Sequence, residues 1–128
     1  MPAYLLDTTT LVSFSKKSEP VSSRLRQMMA TDLVAVCPIV VAEFYSGLAA
    51  EERPDWDGFF ASLDLWDHSE SVARRAGRFR YDYARRGRAI SVADALVAAT
   101  ALEHDATILT DNVSDYPLPG VRVLSLRE

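Results

Sequence analysis

Four acidic residues stand where a charge that served only solubility would be unusual. Each ends, starts or interrupts an apolar run, and the four are Asp7, Glu43, Asp94 and Asp111. Burying several carboxylates together costs free energy unless a cation compensates their charge. The pattern therefore predicts a carboxylate cluster that binds a metal ion.

Asp7 and Glu43 each also have a simpler interpretation. Asp7 precedes three threonines, so it could be the N-cap of a short helix. An acid at a strand end followed by hydroxyls also suits a hard cation such as Mg²⁺, and we favour metal binding for Asp7. Glu43 shares a helical face with Val40 and Phe44, where the alternative to a metal ligand is a buried ion pair with an arginine.

Asp94 lies three residues after Ser91, a spacing that resembles a capping box. Val97 and Ala98 share its helical face, however, so its carboxylate should point towards the sheet and the other acids. We therefore interpret Asp94 as a metal ligand. Thr9 and Ser91 are candidates to hydrogen-bond the ligands or their waters.

The segment 110–115 offers three oxygen donors for a fourth position in the cluster. They are Asp111, Asn112 and Asp115. A turn rich in Asn, Asp and Ser is the simpler interpretation of this segment. The spacing does not choose among the three donors.

Strands and helices alternate along the chain. Apolar or β-branched runs predict strands at 4–7, 34–37, 107–110 and 121–124, with a small extra strand at 63–66. Helical periodicity and start signals predict helices at 21–30, 39–49, 54–63, 69–87 and 91–104. This alternation favours an α/β fold with a central, mainly parallel sheet covered by helices on both faces.

The predicted sheet gives the four acids a common location. Ligand sites of open parallel sheets form at the carboxyl ends of the strands. Asp7 and Asp111 follow strands directly, while Asp94 lies in the first turn of its helix and Glu43 one turn into another. Carboxylates from distant parts of the chain can therefore meet at one rim.

Length and composition fit one compact domain, residues 1–128, with enough apolar side chains for a single core: 48% of the 128 residues are hydrophobic. The start of the chain lacks the features of a secretory signal. Cys37 is the only cysteine, so the chain cannot form an internal disulfide, and we expect a cytoplasmic protein. The longest apolar stretch, 33–42, is much shorter than the roughly 20 residues that span a bilayer. We therefore expect no membrane span.

The formal net charge of −4 is unevenly distributed. Segment 74–88 contains seven of the fourteen Lys and Arg residues and one acid, so it carries +6 and the rest of the chain −10. Such a basic element suits a polyanionic partner, with Arg85, Arg86 and Arg88 as candidates to bind it. A solvated helix face is the alternative, because the apolar residues of this segment recur at helical spacing.

Four segments, taken together and in this order, resemble the PIN-domain nucleases. They read YLLDTT at 4–9, VAEFYSG at 41–47, SVADALVAATA at 91–101 and ATILTDNVSDY at 106–116. The last segment is similar to the end of the VapC-type toxins within that family. The resemblance covers nearly the whole chain.

The resemblance implies a PIN-like three-layer fold and an endoribonuclease, dependent on Mg²⁺ or Mn²⁺, that hydrolyses RNA phosphodiester bonds with metal-activated water. Asp7, Glu43 and Asp94 match the acids that bind metal in the family. Asp111 is taken as the fourth catalytic acid, with Asn112 and Asp115 as alternatives. The polyanion is then RNA, whether tRNA, rRNA or mRNA.

The resemblance also implies two protein partners, a second copy of the chain in a homodimer and a small VapB-type antitoxin. We expect the antitoxin to insert a cationic side chain among the acids and to pack a helix against segments 21–30 and 39–49. Leu25, Met28, Met29, Phe44 and Leu48 are the expected anchors. Ordinary core packing is the alternative for each anchor.

Two other functions compete with the nuclease. The first is a non-cleaving PIN-like module that binds RNA or a partner, and the presence of all the acids argues against it. The second is a phosphatase or receiver-type phosphoaspartate protein. Those proteins need a suitably placed lysine, whereas the lysines here are Lys16 and Lys17, both near the start.

Overall fold

The fold, described here for residues 2–128 from a computed structural model, is built on a parallel sheet. Five short strands form it within those residues: β1 (Ala3–Leu6), β2 (Leu33–Val36), β3 (Asp64–Leu65), β4 (Thr107–Leu109) and β5 (Arg122–Leu124). Their spatial order is β3-β2-β1-β4-β5, and all four neighbouring pairs are parallel. The α/β fold with a central parallel sheet is confirmed.

Helices connect the strands and complete the three-layer arrangement. In the described residues the α-helices are α1 (Thr8–Ser15), α2 (Val21–Thr31), α3 (Pro38–Ser46), α4 (Arg53–Ala61), α5 (Glu70–Arg85) and α6 (Val92–Glu103). Two single turns of 3₁₀-helix lie at Ala50–Glu52 and Val113–Asp115. α1 contacts α2 and α3, and α6 packs against α5, α3 and the two central strands.

Helix ends differ from the predicted bounds where the local chemistry changes. The predicted helix 39–49 ends at Ser46, because the amide of Gly47 turns back to the carbonyl of Phe44 in a tightened last turn. α5 ends just before Gly87, whose φ of +78° is a left-handed conformation that suits glycine and ends the helix.

The core is apolar and includes the middle strand β1 and its neighbour β4. Leu5 and Leu6 of β1 and Ile108 and Leu109 of β4 are fully buried, and α6 covers them with a face of small residues. Burial of such side chains provides most of the favourable free energy of folding. Within residues 2–128, no helix combines the length and hydrophobicity needed to cross a bilayer.

Two of the five expected antitoxin anchors belong to this core. Leu25 is fully buried and Phe44 nearly so, which makes the prediction wrong for these two residues. Their helices turn these positions towards the sheet, so their apolar area is already covered. Met28, Met29 and Leu48 are only partly buried.

The order of the strands creates a switch point between β1 and β4. From β1 the chain runs outwards to β2 and β3, then returns to β4 on the other side of β1 and continues to β5. Loops at the carboxyl ends of β1 and β4 therefore separate in opposite directions and leave a crevice. Such crevices are where open α/β sheets bind their ligands.

Candidate active site

The site begins where β1 and β4 end side by side. Leu6 pairs with Leu109 in the parallel register, and the amide of Asp7 donates to the carbonyl of Leu109 at 3.0 Å. Asp7 and Thr110 therefore emerge next to each other at the switch point. Both residues lie at the carboxyl edge of the sheet, the location that the sequence predicts for the site.

Asp7 is the most buried acid of the group, with 4% of its surface exposed. Its Oδ1 caps α1 by accepting the amide of Thr8 at 2.8 Å, and its Oδ2 accepts the hydroxyls of Thr110 at 2.8 Å and Thr9 at 3.3 Å. Burial raises the pKa of Asp7, and these hydrogen bonds oppose that shift. Asp7 is thus an N-cap whose carboxylate is also fixed in the crevice.

Glu43 lies at the exposed rim of the same crevice. One carboxylate oxygen accepts the hydroxyl of Thr8 at 2.7 Å, so the first residue of α1 contacts both Glu43 and Asp7. The contact ties α3 to α1 at the site. Glu43 is exposed at this rim, whereas the sequence favoured a position turned towards the apolar residues of its helix.

Asp94 reaches the crevice from the first turn of α6. Its backbone amide donates to the hydroxyl of Ser91 at 3.0 Å, so Ser91 caps the helix and fixes the first turn. Burial is the main cause that raises the pKa of Asp94 to about 6. Further upward shifts of the pKa come from the negative charges of Asp115, Asp7 and Glu43. These acids therefore share one electrostatic environment.

The segment after β4 separates its three candidate donors. Asp111 accepts the hydroxyl of Ser13 and forms a 3.0 Å ion pair with Nε of Arg127, so it turns towards α1 and the end of the described chain. Asn112 accepts the hydroxyl of Ser114 at 2.9 Å and is exposed. Asp115 is the donor whose charge acts on Asp94.

Tyr116 is a site residue that the sequence reasoning missed. Tyr116 is buried, its hydroxyl donates to Oδ1 of Asp94 at 3.5 Å, and it opposes the upward shift of the pKa of Asp7. Burial and the charges of these two acids raise the pKa of Tyr116 above its usual range, so the phenol remains a donor. One feature of the sequence could have identified it: Tyr116 is an aromatic residue that directly follows Asp115 in a polar turn.

The three candidate arginines are exposed near the end of α5. Arg85 lies over the ring of Tyr81 at 4.3 Å and Arg86 over that of Tyr83 at 4.9 Å. Arg88 donates to the carbonyl of Ser114 at 2.6 Å. This last contact brings the basic end of α5 beside the turn that carries Asp115.

The donor set suits a hard divalent cation. Every side chain of the crevice described above offers oxygen, the ligand atom that Mg²⁺ and Mn²⁺ prefer. Within residues 2–128, no three Asp, Glu, His or Cys side chains are arranged so that they could hold one ion together. Mg²⁺ does not require that arrangement, because it is commonly bound through one or two carboxylates and keeps several waters.

Fold and site together define a PIN domain. A family model described as PIN domain matches residues 4–114. The chain belongs to this family, and similar relatives include VapC proteins. Ribonuclease VapC19 of Mycobacterium tuberculosis is 30% identical over 115 residues, which cover 89% of this chain and 92% of the relative.

Two further similarities extend over almost the entire chain. The tRNA(fMet)-specific endonuclease VapC of Salmonella typhimurium is 26% identical over 129 residues, covering 96% of this chain and 97% of the relative. The solved structure of VapBC2 from Rickettsia felis, bound to a DNA fragment from its promoter, superposes with a TM-score of 0.82. That structural match has 24% identity and covers 96% of this chain and 98% of the other.

Proposed function

We propose that this chain is an endoribonuclease dependent on Mg²⁺ or Mn²⁺ and the toxin of a toxin–antitoxin pair. The observation that supports the proposal most is the acidic crevice between β1 and β4, where Thr8 contacts both Asp7 and Glu43 and the hydroxyl of Tyr116 donates to Asp94. The names of the relatives, a ribonuclease and a tRNA-specific endonuclease, support RNA as the substrate. An RNA molecule of any class, tRNA, rRNA or mRNA, has the phosphodiester bonds that this chemistry cleaves.

Asp7 and Asp94 would hold the cation directly, and Glu43 and Asp115 would contact the waters that it keeps. When bound, the ion would activate a water molecule and stabilise negative charge on the leaving oxygen. The raised pKa of Asp94 is consistent with this role, since a cation would compensate the charges that now oppose its ionisation.

The protein's own contribution is to fix the acids before RNA arrives. Thr9 and Thr110 hold the carboxylate of Asp7, Ser91 fixes the turn that carries Asp94, and Tyr116 donates to Asp94. Hydrogen bonds of this kind orient ligands and typically affect activity by 10- to 100-fold. Preorganisation therefore comes from α1, α6 and the turn after β4.

RNA would approach across the basic end of α5. Arg85, Arg86 and Arg88 are exposed, and the contact of Arg88 with Ser114 places them beside the acidic crevice. Their charges would attract the phosphate backbone, which carries most of the affinity for nucleic acid. The acids would then act on the strand that these arginines position.

The direct test is cleavage of RNA by the purified chain with Mg²⁺, with Mn²⁺ and with EDTA. We expect cleavage with either metal, none with EDTA, and a loss of about 100-fold or more in Asp94→Asn, because this change removes an anionic ligand but keeps the shape. Binding of RNA by Asp94→Asn should persist. Equal cleavage by parent and Asp94→Asn would reject the mechanism, and binding without cleavage by the parent would favour the non-cleaving module.

A small antitoxin and a second copy of the chain are the proposed partners. The Rickettsia and Salmonella neighbours were solved as VapBC assemblies, which supports a VapB-type partner. Between α1, α3 and α4, a cavity of about 320 Å³ contains Glu43 and the partly buried Leu48, where a cationic and an apolar side chain could both bind. Co-purification with the product of the adjacent reading frame, followed by an RNase assay, tests inhibition.

A further inference from the structure

A second cavity opens beside the acidic crevice, on the side of α1 that faces the end of the described chain. Its volume is about 520 Å³, and Thr8, Ser13, Lys16, Ser18, Asp111 and Arg127 line it together with Thr9. Thr8 and Thr9 also hydrogen-bond Glu43 and Asp7. The cavity is therefore directly continuous with the acids that are proposed to act on RNA.

Arg127 is the main hydrogen-bond donor of this cavity. Arg127 uses Nε for Asp111 and one terminal nitrogen for the hydroxyl of Ser13 at 3.0 Å, and 51% of its side chain remains exposed. A guanidinium carries five N–H donors in a planar fork, so donors remain for a further anion. The same ion pair compensates the charge of Asp111, the one carboxylate that lines the cavity.

Lys16 adds a second cation at the end of α1. It is exposed and also lines the neighbouring cavity that contains Glu43. Lys16 therefore lies between the acidic rim and the pocket around Arg127. Its neighbour Lys17 lines neither cavity.

We propose that Lys16 and Arg127 form a binding site for a phosphate of the RNA strand that flanks the phosphate being cut. This proposal rests on the proposed function for the identity of the polyanion. A cluster of carboxylates repels RNA, so cations next to it are needed to hold the strand in place. The hydroxyl of Ser18, which also lines the cavity, can donate to a further phosphate oxygen.

The test measures affinity for a short labelled single-stranded RNA of mixed sequence, in the Asp94→Asn background so that the RNA stays intact. Lys16→Gln should weaken binding several-fold and reduce the slope of log affinity against log salt by about 0.7, the value for one phosphate contact on a single strand. The matched control is Lys17→Gln, which removes the same charge one residue away and should leave the slope unchanged. Equal effects of the two changes would overturn the proposal.

Arg127 is tested in the same way against Arg122, which is also paired with an aspartate, Asp105, at 3.0 Å. Arg127→Gln should weaken RNA binding and Arg127→Lys should retain part of it, whereas Arg122→Gln should have no effect. A melting curve of each variant separates a loss of fold from a loss of phosphate contact. If Arg127→Gln is folded and binds RNA like the parent, Arg127 is not part of the site.

Tripolyphosphate distinguishes failure of this site from failure of the proposed function. Stabilisation of the parent by tripolyphosphate, abolished by Lys16→Gln and kept by Lys17→Gln, would support the anion site even if the parent cleaves no RNA. Cleavage of RNA by the parent with the same salt slope in both lysine variants would keep the nuclease and reject the site.

Discussion

Asp94 illustrates how a single carboxylate can be unfavourable for folding and useful for binding. Its pKa is raised to about 6 by burial and by neighbouring acids. An unfolded chain restores the ordinary value near 3.9. Between these two values the folded protein binds the proton more tightly, so metal-free stability falls as pH rises through that window and remains lower above pH 6.

We therefore expect Asp94→Asn to raise the melting temperature of the metal-free protein by about 3 to 6 °C at pH 7.5, since it removes an unfavourable buried charge. The gain should shrink towards zero near pH 4, where the parent carboxyl is protonated. Thermal melts in EDTA across this range provide the measurement, with the exposed Glu51→Gln as control. A gain that does not change with pH would disprove the electrostatic explanation.

The fourth acid can be assigned by comparing two matched substitutions. Asp115→Asn should lower the cleavage rate by about 10- to 100-fold, because Asp115 acts on Asp94. Asp111→Asn should lower the cleavage rate by less than about threefold, because the carboxylate of Asp111 is already paired with Arg127 and Ser13. Cleavage rates measured at matched salt and metal concentrations distinguish the two acids. A larger loss of rate in Asp111→Asn than in Asp115→Asn would identify Asp111 as the fourth acid.

Local sequence predicted some of these roles and missed others for a physical reason. Asp7 and Asp94 were visible because a charge next to an apolar run is unusual. Tyr116 and Arg127 were missed because their roles depend on partners far along the chain: Tyr116 contacts Asp94, and Arg127 contacts Ser13, 114 residues away. Only the fold brings such residues together.

At the scale of elements, α5 combines a core-facing side with a basic outer side. Val72 and Ala76 are buried, whereas the arginines of the helix are exposed. The sequence predicted this division from helical spacing, and it predicted most helices and strands to within a few residues. It overextended the helix at 39–49, where Gly47 allows a tightened last turn.

The paired change Arg85→Ala with Arg86→Ala should weaken RNA binding and reduce its dependence on salt, as expected for phosphate contacts. The matched control, Arg74→Ala with Arg75→Ala, removes the same charge from the first half of α5. Binding measured from about 50 to 200 mM salt tests the difference. If log affinity falls equally steeply with log salt in the two double variants, Arg85 and Arg86 are ordinary solvent-exposed charges and do not contact RNA.

At the scale of the whole molecule, the strand order determines where the chemistry can occur. A sequence of alternating strands and helices predicts a parallel sheet but does not specify which strand lies at its centre. The return of the chain to β4 beside β1 places Asp7 and Thr110 together and leaves a crevice between diverging loops. Long-range pairing of this kind cannot be deduced from periodicity.

Metal binding should stabilise the whole fold, because it compensates charges from α1, α3, α6 and the turn after β4. At about 100 times the dissociation constant, a ligand specific for the folded state adds roughly 2.7 kcal/mol. The melting temperature should therefore be higher in millimolar Mg²⁺ than in EDTA, and the difference should be much smaller in Asp94→Asn. Identical melting of the parent in both conditions would argue against metal binding.

The two edges of the sheet have a consequence for behaviour at high concentration. β3 contains two residues and β5 three, so little unpaired strand backbone is available at either side. Long, flat edges are templates on which further strands add and aggregate, and very short ones limit that growth. Association of this protein should therefore occur through side chains on its helices, which can be changed without disturbing the sheet.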